Sequence, residues 1–190
     1  MKMLKFIMTK KLWKNARIYS FLRSWVYVKP KMDGANFLES WQNVYGSFHD
    51  PSAAEVMERL KLLKLKRVME IGSGYGRIAI PLASAGFQVT CLEPDELLAL
   101  ETKKMSIDTM VSRIQDLGSI EAKIADKYDC VISIRVVSYL SLIETIKMLR
   151  FLEEISGVYI GWEEYVGSRR LRLARFFVRK IKVIVIETLN

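Results

Sequence analysis

Val68-Met-Glu-Ile-Gly-Ser-Gly-Tyr-Gly-Arg-Ile-Ala-Ile80 decides the fold of this chain. An apolar run with one acid, Glu70, leads into glycines at 72, 74 and 76, and an apolar helical pattern follows. Strand, tight glycine turn and helix in that order mark the start of an α/β nucleotide-binding unit, because glycine lets backbone approach a ligand closely. A second apolar run, Val89-Thr-Cys-Leu-Glu93, ends in an acid roughly 20 residues after the first glycine, where such folds place a ribose-binding carboxylate.

The spacing restricts the ligand. A dinucleotide site needs G-x-G-x-x-G, whose third glycine lets helix and strand pack closely. Here the third glycine falls one residue early, at Gly76, and Arg77 stands where the fingerprint wants it. Glu70, two residues before Gly72, would repel a pyrophosphate but can accept a hydrogen bond from an ammonium group. A ligand carrying positive charge fits better.

Glu70-x-Gly72-x-Gly74-x-Gly76 resembles the first motif of the class I S-adenosylmethionine-dependent methyltransferases. The resemblance covers roughly residues 68–140. Leu92-Glu93-Pro94-Asp95 is similar to the second motif, Ile114-Gln-Asp116-Leu117 to the segment after strand three, and Tyr128-Asp-Cys-Val-Ile-Ser133 to strand four. It implies S-adenosylmethionine as cofactor, held by Glu70, Gly72, Ser73, Gly74, Tyr75, Gly76, Glu93, Pro94, Asp116, Leu117 and Ser133. Glu93 would hold both ribose hydroxyls, Asp116 would meet the adenine amino group, and strand four would end beside the transferred methyl. The implied fold is a three-layer Rossmann-like sandwich with a mostly parallel sheet of six or seven strands flanked by helices, preceded by an N-terminal helical extension. The competing reading is a non-catalytic scaffold with the same fold, docked through basic ends.

The acceptor side is less legible. Methyl transfer from a sulfonium is an in-line displacement that asks mainly for alignment, with a general base only where the acceptor holds its proton tightly. Enzymes acting on planar amides or exocyclic amines carry Asn/Asp-Pro-Pro-aromatic after strand four; Ser133-Ile-Arg135-Val136 departs from it. Cys130 lies within that strand and reads as a buried, inert thiol. Arg135 and Tyr139 follow strand four as acceptor-side candidates, with Arg135 alternatively pairing a surface acid. His49, the only histidine, is a candidate base or an ordinary loop residue. Trp41 and Tyr45 belong to a segment similar to the flap over the cofactor in small-molecule methyltransferases, or to the core. Glu163 and Glu164, after strand five, read as solvated charges or as ligands for a cationic acceptor. The acceptor class stays open among small molecules, protein and RNA.

Charge is unevenly distributed along the 190 residues. Residues 1–32 hold nine Lys or Arg and no acid, and residues 169–190 hold seven against Glu187, while the middle is mildly acidic, giving +9 overall. Leu4, Met8, Leu12, Ala16, Tyr19, Leu22 and Val26 recur at helical spacing, so residues 1–32 form a basic amphipathic arm, and 33–190 a single domain with a shortened C-terminal part. The arm either packs on the core, lies on an anionic membrane, or contacts RNA; the basic segment 169–182 shares the last two readings. The two cysteines, Cys91 and Cys130, lie in apolar strands, which suits a cytoplasmic protein without disulfide or metal site, membrane-peripheral if the arm docks on lipid. No stretch offers the roughly 20 apolar residues of a membrane-spanning helix. A trimmed sheet edge leaves homodimerisation open.

In outline, helices are expected at 51–63, 75–85 (with Pro81 kinking or weakening it), 95–104 and 141–155. Strands are expected at 67–71, 88–93, 109–114, 128–134 and 157–162, with a late one containing Val183-Ile-Val-Ile186.

Overall fold

The computed structural model describes residues 51–116, 128–163 and 165–187. The chain divides into two units, residues 1–48 and 49–190, and the described residues belong to the second. Expectations for the arm, Trp41, Tyr45, His49, Leu117 and Glu164 therefore lie outside them.

Six strands form one sheet: β1 (Arg67–Ile71), β2 (Gln88–Glu93), β3 (Asp108–Val111), β4 (Cys130–Ile134), β5 (Val158–Glu163) and β6 (Lys182–Glu187). They are ordered β3-β2-β1-β4-β5-β6 and every pairing is parallel. Parallel neighbours need crossovers, which are supplied by helices α1 (Ala53–Leu62), α2 (Ala79–Ser84), α3 (Glu96–Lys104), α4 (Leu142–Ile155) and α5 (Tyr165–Ala174), with α1 leading into β1. The expected Rossmann-like architecture is present. The six-strand alternative for the sheet holds among the described residues, and β6 pairs directly with β5 in parallel.

Strand parity sorts the core into two faces. Met69, Ile71, Val131 and Tyr159 pack with Met148, Leu149 and Leu152 of α4 and Leu171 and Ala174 of α5. The alternate residues Val68, Cys130, Ile132, Ile160 and Trp162 pack with Val56 and Leu60 of α1 and Leu82 of α2. Burial on both faces explains why the strands read as near-continuous apolar runs. Gly161 is part of this economy: a Cβ there would stand 2.5 Å from Leu171 Cδ1, so α5 can press onto the sheet only at a glycine.

Helix starts follow their capping residues. Ser52 with Glu55 and Ser141 with Glu144 form capping boxes, and the Asp95 side chain accepts from Leu97 and Leu98 N–H. The helix after the glycine turn is shorter than its apolar pattern suggests. Ile80 N–H reaches Gly76 O and Leu82 N–H reaches Ile78 O, but Pro81 between them has no N–H to give, and regular helix spans only Ala79–Ser84. β3 also ends early, at Val111, followed by a 3-10 turn at Ile114–Asp116.

Ser141 is exposed and its role is confined to the cap, so Ser141→Ala should cost about 1 kcal/mol. Thermal unfolding should then fall by roughly 2–4 °C; an unchanged midpoint would show that α4 starts without its cap.

Candidate cofactor site

In an open parallel sheet, ligands bind beyond the carboxyl ends of strands where the strand order reverses, here between β1 and β4. Gly72 to Gly76, Glu93 to Asp95 and Ser133 to Tyr139 all lie at that rim.

The glycine turn is built from left-handed backbone: Gly72, Gly74 and Gly76 have φ of +69, +56 and +85°. Their surroundings differ. A Cβ on Gly72 would come 2.7 Å from Val136 Cγ2, and one on Gly76 2.7 Å from Thr102 Cγ2, so these two are held by packing as well as conformation. A Cβ on Gly74 would meet nothing within 4 Å, so this glycine is required by its left-handed backbone and not by packing, although the residue itself is buried and its N–H is engaged.

Glu93 closes the turn from the side. Its buried carboxylate accepts from Gly74 N–H at 2.8 Å and Asp95 N–H at 3.0 Å. β2 therefore presents an acid directly at the middle glycine of the turn. Gly72 N–H also bonds Leu92 O at 2.7 Å, which ties the turn to the end of β2.

Beneath the turn, Glu70 is buried in the sheet face that also carries Cys91. Burial raises its pKa to about 8; Arg77 opposes the shift, Glu93 adds to it, and an amide hydrogen bond from Ala79 lowers it slightly. Its Oε2 has no hydrogen-bond partner among the described residues. A buried acceptor of this kind is costly unless something donates to it, and an ammonium group or a water bridging to one would satisfy it. Arg77, standing where a dinucleotide fingerprint would have glycine, donates to Pro51 O at 2.9 Å.

The other sequence candidates are distributed around this centre. Tyr75 is partly buried, Ser73 is buried, and Pro94 is exposed beside Glu93. Asp116 is exposed on the turn after β3. Ser133 reaches the rim by its backbone, but its hydroxyl points to the α4/α5 face, 2.6 Å from Tyr159 OH and 3.4 Å from Glu163. Arg135 is buried, with φ +60°, at the end of β4. Tyr139 is exposed on the following 3-10 turn, Val137–Tyr139. Cys130 and Cys91 are buried, with burial pushing both thiols up to about 12, so neither is a nucleophile at neutral pH.

Glu163 requires a correction. Both sequence readings made it accessible, as a solvated charge or a ligand for a cationic acceptor, yet its exposure is 0 % and its carboxylate bonds Val137 and Ser138 N–H. Parity carried the signal: Tyr159, Gly161 and Glu163 alternate onto the α4/α5 face, so the acid ending β5 points inward. Sequence reasoning also passed over Arg170, whose Nη1 donates to the carbonyls of Val137, Ser138 and Leu140. No group of three or more potential ligands for a metal occurs among the described residues.

Comparisons with known proteins place the chain among relatives of the same fold. The family described as tellurite resistance protein TehB matches residues 40–159. An rRNA adenine N-6-methyltransferase of Clostridium perfringens is 31% identical over 123 residues, 64% of this chain and 49% of that protein. The chain spans about half the length of the curated relatives it matches. A solved structure from Thermoplasma acidophilum shares the fold at 19% identity and a TM-score of 0.52, covering 64% of this chain and 66% of that one. The structure of TehB from Haemophilus influenzae aligns at 22% identity and a TM-score of 0.46, over 55% and 37% of the two chains. This chain belongs to the TehB family, a family of class I S-adenosylmethionine-dependent methyltransferases.

Proposed function

We propose that this protein is an S-adenosylmethionine-dependent methyltransferase. The observation that carries the reading is the Glu93 carboxylate 2.8 Å from Gly74 N–H, which joins the acid ending β2 to the left-handed glycine turn after β1. Glu93 is placed to receive ribose hydroxyls, Gly72 to Gly76 to lie under the amino acid end, and Glu70 to answer its ammonium. The bound cofactor would supply an activated methyl group on a sulfonium. The residues of this chain orient that group, and the turn after β4 faces the acceptor.

The acceptor belongs outside the exocyclic-amine class, although the curated relatives are named for adenine N-6. In Asn/Asp-Pro-Pro-aromatic the second proline would fall at position 135. Arg135 has φ +60°, which a proline ring locked near −65° does not adopt, so this turn follows a different path. An acceptor amine held by that signature would find no such cradle here.

The location we propose is cytoplasmic and membrane-peripheral. Two free, buried cysteines suit a reducing compartment, and among the described residues no helix is long and apolar enough to cross a membrane. Leu173, Phe176 and Phe177 are 50%, 73% and 53% exposed, with Arg172, Arg175 and Arg179 exposed around them. The Arg175 guanidinium lies 5.3 Å from the centre of the Phe176 ring. Residues 165–186 contain no acid. An apolar cluster ringed by arginines complements an anionic lipid surface. The 175–177 turn precedes β6, whose first residue pairs with the start of β5, so the cluster lies at the sheet edge opposite Gly72 and Glu93. That position favours anchoring over presentation of an RNA acceptor to the site.

Three outcomes are expected. Calorimetry with S-adenosylhomocysteine should show binding to the wild type and at least about tenfold weaker affinity for Glu93→Ala; equal affinity would refute the site. Because Glu70 is raised from 4.5 to about 8 in the fold, its contribution to stability is complete below pH 4.5 and is lost as pH rises towards 8. Glu70→Gln should therefore flatten the loss of thermal stability between pH 5 and 8, and an identical slope in both proteins would contradict the assignment. In vesicle flotation, the full chain should associate with phosphatidylglycerol-containing but not pure phosphatidylcholine vesicles, and the double change Phe176→Ser with Phe177→Ser should weaken this about tenfold. Unchanged association, or retention on RNA alone, would exclude the lipid reading of this cluster.

A further inference from the structure

The 3-10 turn Val137–Tyr139 is a single short turn at the rim, yet both its ends are occupied by buried or partly buried charge from another part of the fold. At its start, the Glu163 carboxylate accepts from Val137 N–H at 3.0 Å, Ser138 N–H at 3.3 Å and Ser138 Oγ at 3.3 Å. At its end, Arg170 Nη1 donates to Val137 O at 3.2 Å, Ser138 O at 3.0 Å and Leu140 O. A short helical turn leaves its first amides and last carbonyls without internal partners. Here an anion meets the amides and a cation meets the carbonyls, the pairing that the turn dipole favours.

The surrounding sequence is fitted to this arrangement. A Cβ on Gly167, near the start of α5, would stand 2.5 Å from Glu163 Oε2 and 2.9 Å from Ser138 Oγ, so only glycine leaves room for the carboxylate. Ser168 Oγ donates to Glu163 O at 3.0 Å, and Ser133 Oγ links the carboxylate to Tyr159 OH. A fully buried carboxylate is expensive unless its lone pairs are satisfied, and here they are met by two amides and two hydroxyls.

What the turn supports lies on its other side. Val136, one residue before it, has the Cγ2 atom that a Cβ on Gly72 would strike at 2.7 Å. Arg135 before that is in left-handed backbone, a conformation that persists only where neighbours impose it. Tyr139 is carried exposed on the turn itself.

We propose that Glu163 and Arg170 are positioning residues, a two-ended clamp from the β5–α5 junction that fixes residues 135–140 against Gly72. Both hold the turn after β4 from the β5–α5 side. They set the wall behind the glycine turn and the platform for Tyr139, so affinity for the cofactor depends on a carboxylate buried on the opposite face of the sheet from Glu70. The link to cofactor affinity rests on the methyltransferase reading above; the clamp itself does not.

The test combines amide hydrogen exchange with calorimetry on the full chain. In Glu163→Gln, an isosteric change that turns an acceptor into a donor facing two N–H groups, exchange at Val137 and Ser138 should rise by at least about tenfold while β1 and α4 amides stay protected. Affinity for S-adenosylhomocysteine should fall about fivefold, a partial loss transmitted through Val136. If Glu163→Gln does not fold, Arg170→Met serves, since its site is only partly buried, and Arg170→Lys should restore protection that Met loses. Exchange at wild-type rates in segment 137–140 of the folded variants would overturn the clamp. Faster exchange with unchanged affinity would overturn its coupling to the site. Failure of the wild type to bind S-adenosylhomocysteine would instead refute the methyltransferase reading, with the clamp still decided by exchange.

Discussion

The hydrogen bond from Gly74 N–H to Glu93 joins the two halves of the site, and its existence depends on strand register. Parallel pairing sets Ile71 opposite Leu92, so that the turn leaving β1 and the acid ending β2 emerge at the same height. Slipping the register by one residue would send Glu93 to the other face of the sheet. The apolar alternation that buries Met69 and Ile71 against α4 and α5, and Val68 against α1 and α2, therefore also places the charges.

Much of this was readable from residue order. The strand with Glu70, the three glycines and the acid at 93 stand where their spacing puts them, and the capping boxes at Ser52 and Ser141 start the expected helices. These features are local, and local chemistry determines them. Helix α2 departed because a missing N–H at Pro81 shortens a helix that apolar periodicity alone extends back to Tyr75. Periodicity reports which residues face the core, and a glycine turn packed on Val136 and Thr102 does so without being helical.

The larger departures concern charged residues near strand ends. Glu163 and Arg135 both looked like groups available to an acceptor, and both are buried. The role of Glu163 depends on contacts across about 25 to 30 residues of chain, between β5 and the end of β4 with the turn that follows, which spacing does not report. Strand parity was the available clue for Glu163. For Arg170 there was none, because a basic segment with six other cations nearby gives no reason to single out one.

A division of labour follows from this geometry. One face of the sheet offers a cationic nucleoside ligand the carboxylate of Glu93 and the buried carboxyl group of Glu70, which an arriving ammonium would ionise. The other, through Glu163 and Arg170, fixes the turn that borders it. The most direct measurement of the central claim is a crystal structure of the protein grown with S-adenosylhomocysteine. The account predicts the ribose hydroxyls within hydrogen-bonding distance of Glu93 and the amino group over Gly72 to Gly76, directly or through water on Glu70. A ligand bound away from the glycine turn, with Glu93 uninvolved, would contradict it.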